Sequence, residues 1–356
     1  MIYTYGVSFP GAYHVKNDIP NQDAYKIDEC NKTMVIAAVA DGLGSAEFSD
    51  VASKIAVEKA VSHCKENIAK TENPKELLAV IKESFVCAFN AIESQAKADN
   101  NEVQKYDTTL TLAIYCDETL FLGHSGDSGI VVLTTDGLYR KATEQQRDEN
   151  NCVFPLFFQD KWIFEEYPHK VSSVFMATDG MLETLFPLYI RNEEVNIHIA
   201  LAQFFMDNEK LKIQDRGKDE VEGKIEDFVK NIPKEQVDDD KTIVVLINTA
   251  SKPKLQPDDY YKEPDWAELK RKHDEEWQKL AYPHLFKEKK TDADDSDSKV
   301  KEKDSDESAK VDDSKKITGS ANSSSPQTAN KPKDGDVNES ESPNKKKGWM
   351  PNLFKK

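Results

Sequence analysis

Met34-Val35-Ile36-Ala37-Ala38-Val39-Ala40-Asp41-Gly42 is an almost unbroken apolar run that ends on a carboxylate and a glycine. Branched and small apolar side chains at consecutive positions, without polar alternation, predict a strand buried on both faces. Two stretches of helical period follow. Residues 49–70 place Ile55, Ala56, Ala60, Cys64 and Ile68 on one face, and residues 74–97 do the same with Leu77, Leu78, Ile81, Phe85, Ala88, Phe89 and Ile92. From residue 108 the texture changes to short β-prone runs, 108–116, 120–124 and 129–134, separated by Asp117-Glu118 and Gly126-Asp127-Ser128-Gly129. These runs predict an antiparallel meander. An irregular aromatic stretch, 138–169, precedes another strand, 171–178, that ends in Asp179. Helical patterns around 195–207 and 219–230 lead to a last strand, 242–247. Strands grouped together and helices grouped in pairs suggest a sheet sandwich flanked by helix layers.

The apolar clusters thin out after Ile247, so of the 356 residues only the first 250 or so are expected to build a core. Residues 1–250 are assigned to one domain. Residues 251–290 read as an extended segment followed by an amphipathic helix carrying Trp266, Leu269, His273, Trp277 and Leu280. Residues 291–347 are almost wholly Lys, Asp, Glu, Ser, Asn, Pro and Gly, a composition that cannot offset its ordering entropy and predicts a disordered linker. Large apolar residues return in a basic setting at 348–356, where the segment from Trp349 to Phe354 reads as a short docking motif for a partner.

A formal net charge of -17 argues against a nucleic-acid scaffold, which needs a basic footprint, and against attraction to anionic membranes. Cys30, Cys64, Cys87, Cys116 and Cys152 fall singly, an odd count with no CxxC pair, which points to a reducing compartment without a disulfide framework or zinc site. No stretch of about 18 apolar residues occurs, and the N-terminus lacks the basic and apolar regions of a signal peptide. The expectation is a soluble cytoplasmic protein.

The chemistry is carried by acidic segments at the mouths of the hydrophobic runs: Asn21-Gln22-Asp23, Ala40-Asp41-Gly42, Ala177-Thr178-Asp179-Gly180 and Asp238-Asp239-Asp240-Lys241-Thr242. A strand that ends in a carboxylate delivers a hard oxygen ligand from a rigid element, and several such ends make a cage suited to Mg²⁺ or Mn²⁺. Each segment also has a plainer reading, since Asp-Gly is a common hairpin turn and a strand-ending Asp is often a helix cap. Asp136-Gly137, between Thr134-Thr135 and Leu138, is read as such an ordinary turn.

The full series is Asn21-Gln22-Asp23-Ala24, Val39-Ala40-Asp41-Gly42-Leu43-Gly44, Asp107-Thr108-Thr109, Gly126-Asp127-Ser128, Ala177-Thr178-Asp179-Gly180 and Asp239-Asp240-Lys241-Thr242. In that order it resembles the protein phosphatase 2C family, the metal-dependent PPM phosphatases, over roughly residues 5–248, with a bacterial flavour in the Asp-Gly-Leu-Gly-Ser-Ala form of the second motif. The resemblance implies an α+β fold, a four-layer αββα sandwich of two antiparallel sheets flanked by helices. It also implies a binuclear Mg²⁺ or Mn²⁺ centre that hydrolyses phosphoserine or phosphothreonine in proteins, opposing a serine/threonine kinase. Carried over by position, Asp41 would bridge both ions, with the Gly42 carbonyl and Asp23 on one of them and Asp179 and Asp239 on the other. Asp240 falls outside the ligand set. Asp127 matches a residue that helps Asp179 hold a weaker third ion; its alternative is a buried turn Asp bonded to backbone amides. Two divalent ions about 3.5–4 Å apart can share a water and lower its pKa toward neutrality, so that hydroxide attacks phosphorus without a protein nucleophile. Asp41 and Asp179 are therefore the residues on which catalysis is expected to depend.

Three positions depart from the family pattern. Asp18 stands where an Arg usually binds the substrate phosphate, which leaves His14 and Lys16 as candidates for that grip. Gln22 replaces a frequent Glu and keeps hydrogen bonding without charge. Leu43 follows Asp-Gly where some relatives use a His as general acid. These departures keep open an alternative of a different class, a catalytically weak member that binds phosphoproteins as a signalling scaffold.

Overall fold

The computed structural model describes residues 1–68, 74–187, 190 and 197–283. The chain divides into two compact units, Met1–Trp277 and Gln278–Lys356, the second described only as far as residue 283. The expected linker (291–347) and terminal motif (348–356) lie outside the described residues.

The first unit is built on two antiparallel five-stranded sheets. One sheet has the order β1 (Ile2–Phe9), β10 (Lys241–Asn248), β9 (Val171–Ala177), β6 (Gly129–Thr134), β7 (Tyr139–Lys141). The other runs β2 (Ala24–Asn31), β3 (Met34–Ala40), β4 (Leu110–Cys116), β5 (Thr119–Ser125), β8 (Ile163–Glu166). The apolar run at 34–40 is β3, and its two faces feed two different cores. Val35, Ala37 and Val39 meet Val244 and Leu246 of β10 and Val174 and Met176 of β9 between the sheets. Ile36, Ala38 and Ala40 meet α2 (Ser49–Ile68) and α3 (Pro74–Ala98). Strand β10 divides in the same way, with Ile243, Val245 and Ile247 turned toward α5 (Ile199–Met206) and α8 (Lys218–Lys230). Helices therefore cover the outer face of each sheet, and the fold is the αββα sandwich expected. Ala52, Ala56 and Ala60, all fully buried, let α2 lie close against its sheet.

The expected meander is corrected. Strands β4 and β5 form a hairpin, with Leu110 opposite Ser125, but the chain then leaves that sheet, and β6 pairs with β9 and β7 in the other. Gly126-Asp127-Ser128 is the crossing between sheets, and it takes Asp127 to the end of the sandwich where β3 and β9 finish. The irregular stretch 138–169 supplies an edge strand to each sheet, β7 and β8, and Trp162 and Phe164 pack edge-on against Phe85 of α3 at 5.5 and 5.1 Å between ring centroids. Within the first unit, two residues beyond β10 pack back on the sandwich: Tyr139 N donates to Tyr260 Oη (2.9 Å), and Trp266, at the start of α9 (Trp266–Ala281), stacks on His198 at 4.1 Å.

Candidate metal centre

Strand register brings the acidic segments to one end of the sandwich. Ala24 faces Ala40 across β2 and β3, so Asp23 and Asp41 leave the sheet side by side. Ala177 faces Ile243 across β9 and β10, which sets Asp179 beside the 239–241 segment in the same way. Asp41 is fixed through its backbone: Thr109 Oγ1 accepts from its N–H (2.9 Å), while Thr108 Oγ1 and Thr109 N donate to its carbonyl (2.9 and 2.8 Å). These contacts give the Asp107-Thr108-Thr109 motif its task.

The glycines of the two Asp-Gly pairs are not turn glycines. Gly137 of Asp136-Gly137 has φ 86°, the left-handed value of an ordinary turn, whereas Gly42 and Gly180 are not in that region. They are needed for close approach. A Cβ at Gly42 would fall 2.6 Å from the Ser49 carbonyl and 2.8 Å from that of Gln22; one at Gly180 would fall 2.5 Å from the Asp240 carbonyl. Each glycine lets one acidic segment touch another, and Gly42 N donates to Gln22 O at 3.1 Å.

Carboxylate oxygens of Asp41, Asp127 and Asp179 lie within 4.8 Å of one another, and a second group brings His14, Asp239 and Asp240 equally close. Asp23 is buried, and its Oδ2 accepts from Thr178 Oγ1 at 2.8 Å. The crowd works against its own ionisation. Burial holds the Asp41 carboxyl well above the usual range, and the charges of Asp23, Asp179, Asp127 and Asp239 push it further. Asp23 is raised by burial and then by Asp240, with the hydrogen bonds from Thr178 and Thr242 acting in opposition. Burial and Asp179 push Asp127 up to about 7 against the pull of Arg147. Asp239, the most open of the set, is raised by partial burial and by Asp179.

Asp240 has a different task from its neighbour. Buried, it accepts from Gly11 N (2.7 Å) and His14 Nδ1 (2.8 Å) on one oxygen and from Gln22 N (2.7 Å) on the other. It ties α1 (Ala12–Lys16) and the Asn21-Gln22-Asp23 segment to the start of β10. His14 is buried with Nδ1 committed to Asp240, which leaves Nε2 as the ring nitrogen open to other partners. Lys16 ends α1 exposed and takes no hydrogen bond or ion pair among the described residues. Asp18, just beyond α1, has φ 54°.

The residue that motif spacing does not reveal is Arg147. Its Nη2 lies 2.5 Å from Asp127 Oδ2 and 2.9 Å from Asp179 Oδ2, so one nitrogen spans two of the clustered carboxylates. It comes from the irregular 138–169 stretch, where no periodicity marks it. A cleft of about 380 Å³ opens beside it, lined also by Lys141, Thr143, Glu144 and Glu183.

Residues 10–213 match the family model described as Protein phosphatase 2C. Similar solved structures include a bacterial serine phosphatase, 12% identical, covering 72% of this chain and 100% of that one with a TM-score of 0.48. Stp1, a serine/threonine phosphatase from Staphylococcus aureus, is 13% identical and covers 70% of this chain and 95% of its own (TM-score 0.47). The Mycobacterium tuberculosis serine/threonine phosphatase PstP/Ppp is 18% identical, with 69% and 98% covered (TM-score 0.47). No curated protein matches significantly.

Proposed function

The chain belongs to the protein phosphatase 2C family, and from that premise we propose that it is a Mg²⁺- or Mn²⁺-dependent phosphatase acting on phosphoserine and phosphothreonine in cytoplasmic proteins, opposite a serine/threonine kinase. The observation that carries this reading is the convergence of Asp23, Asp41, Asp127, Asp179 and Asp239, where the charge of Asp179 helps raise the carboxyl pKa values of the other four. An all-oxygen donor set suits hard divalent cations, and an excess of buried negative charge is what such cations relieve. Asp41 would serve two ions, Asp23 and the Gly42 carbonyl one of them, and Asp179 and Asp239 the other, with Asp127 and Asp179 offering a weaker third position. When bound, the ions supply Lewis acidity, acidifying water and neutralising charge on the phosphoryl oxygens.

The chain's own residues hold that arrangement and meet the substrate. Thr108, Thr109 and Thr178 fix Asp41 and Asp23, and Asp240 locks the Gln22 segment against β10. His14 Nε2 and Lys16 remain the candidates for gripping the phosphoryl group in place of the family Arg. Hydrolysis of p-nitrophenyl phosphate and of a phosphothreonine peptide with Mn²⁺, Mg²⁺ or EDTA, beside Asp41→Asn and Asp179→Asn, tests the proposal. Activity should require metal and fall at least a hundredfold in either variant, on the order of what loss of an electrostatic catalytic group costs; activity that persists in EDTA refutes it. The second reading, a weakly catalytic phosphoprotein binder, draws on Asp18 and Leu43 standing at the family's Arg and His positions. It predicts retention of a phosphopeptide without turnover in the same assay.

A further inference from the structure

We propose that Arg147 is a built-in cation of the carboxylate centre, one that competes with a divalent ion for Asp127 and Asp179 and so sets the affinity of that position. The inference rests on the metal-dependent reading above. Nη2 approaches Oδ2 of both carboxylates, at 2.5 Å and 2.9 Å. A divalent ion bridging these side chains needs an oxygen from each at about 2.0–2.2 Å, which brings its charge against the guanidinium. Both cations cannot use the two Oδ2 atoms at once.

The surroundings give the guanidinium somewhere else to go. Arg147 itself lines the cleft of about 380 Å³ and its side chain is 22% exposed, so it can turn toward solvent without burying its charge. Asp127 is 2% exposed, which makes an uncompensated charge there costly. One cation or the other has to serve it. Arg147 thus holds Asp127 and Asp179 in place before loading, and a metal ion that takes the same two oxygens must displace it.

The full chain and its R147Q, R147K and R147Q/D127N variants are titrated with Mn²⁺ by calorimetry and by the loss of free-ion EPR signal, with melting curves in EDTA and in saturating Mn²⁺. Removing a charge-assisted hydrogen bond corresponds to about ten- to a hundredfold in an equilibrium constant, so R147Q should bind its weakest Mn²⁺ tighter by that factor. R147Q/D127N should lose the gain, and R147K, which keeps the charge, should move less than R147Q. R147Q should melt lower than wild type in EDTA and match it in Mn²⁺. An R147Q isotherm identical to wild type, or a gain that survives D127N, overturns the proposal and leaves the phosphatase reading standing. A melting deficit that persists in Mn²⁺ also overturns it, because it marks a purely structural Arg147. Absence of Mn²⁺ uptake by wild type and every variant overturns both.

Discussion

Asp239 and Asp240 are adjacent in sequence and opposite in expected behaviour, and the substitutions Asp239→Asn and Asp240→Asn separate their roles. Asp240 uses both oxygens: Oδ1 accepts from Gly11 N and His14 Nδ1, and Oδ2 accepts from Gln22 N. An amide keeps one acceptor oxygen and turns an NH₂ toward the remaining donor, so at least one buried N–H loses its partner and faces another donor. An orphaned buried donor costs ~1–3 kcal/mol, and the repulsion adds to it, giving about 2–4 kcal/mol for Asp240→Asn. In a domain of this size ~1 kcal/mol lowers Tm by about 2–4 °C, so a drop on the order of 5–15 °C is expected in EDTA. Asp239 accepts only from the adjacent Asp240 N among the described residues, a bond that the Asn oxygen preserves. Its ionisation is disfavoured by burial and by Asp179, so Asp239→Asn should leave Tm in EDTA unchanged or slightly raised. Mn²⁺ reverses the order: its stabilising shift should nearly vanish in Asp239→Asn and survive in Asp240→Asn. Scanning fluorimetry with and without Mn²⁺ gives both readings. Equal losses in EDTA, or a lost Mn²⁺ shift in Asp240→Asn with an unchanged EDTA melt, would refute the division of labour.

The metal-free protein should lose stability as pH rises. Asp23, Asp41 and Asp127 have folded pKa values above the ordinary carboxylate range, so their contribution is complete below about pH 4 and is lost as each ionises, through about 7 for Asp127. A single group gives a slope of up to ~1.4 kcal/mol per pH unit across that window; urea unfolding in EDTA between pH 5 and 8 measures it, and stability that climbs with pH contradicts the crowding argument. Gly42→Ala would set a methyl group 2.6 Å from a backbone carbonyl on α2, the Ser49 oxygen. It should destabilise the fold by ~1–3 kcal/mol and weaken Mn²⁺ binding through the displaced Asp41, whereas a wild-type isotherm and melting curve would show that the two segments can part freely.

Much of this was legible before any fold was known. Residues 34–40 and 243–247 are apolar at every position because both faces of β3 and β10 are covered, and α2 and α3 carry their apolar stripes at helical spacing. The order of the acidic motifs named the family, since strand ends repeat in sequence the pattern that they form in space. Periodicity could not show that β5 and β6 part company: both are apolar β-prone runs, and the change of sheet at Gly126-Asp127-Ser128 is set by the distant strand that β6 meets, β9, while β8 takes the edge of β5.

The sequence by itself determined the layers, because burial on one face or two is written locally in the spacing of apolar side chains. It also determined which carboxylates stand at strand ends. Tertiary structure alone decided who meets whom there. His14 finds Asp240 across 226 residues, Thr178 finds Asp23 across 155, and Arg147 reaches Asp127 and Asp179 from a stretch without period. Those meetings depend on strand register and on the approach of two sheets, and they are fixed only when distant segments pack together, which no local pattern of residues encodes.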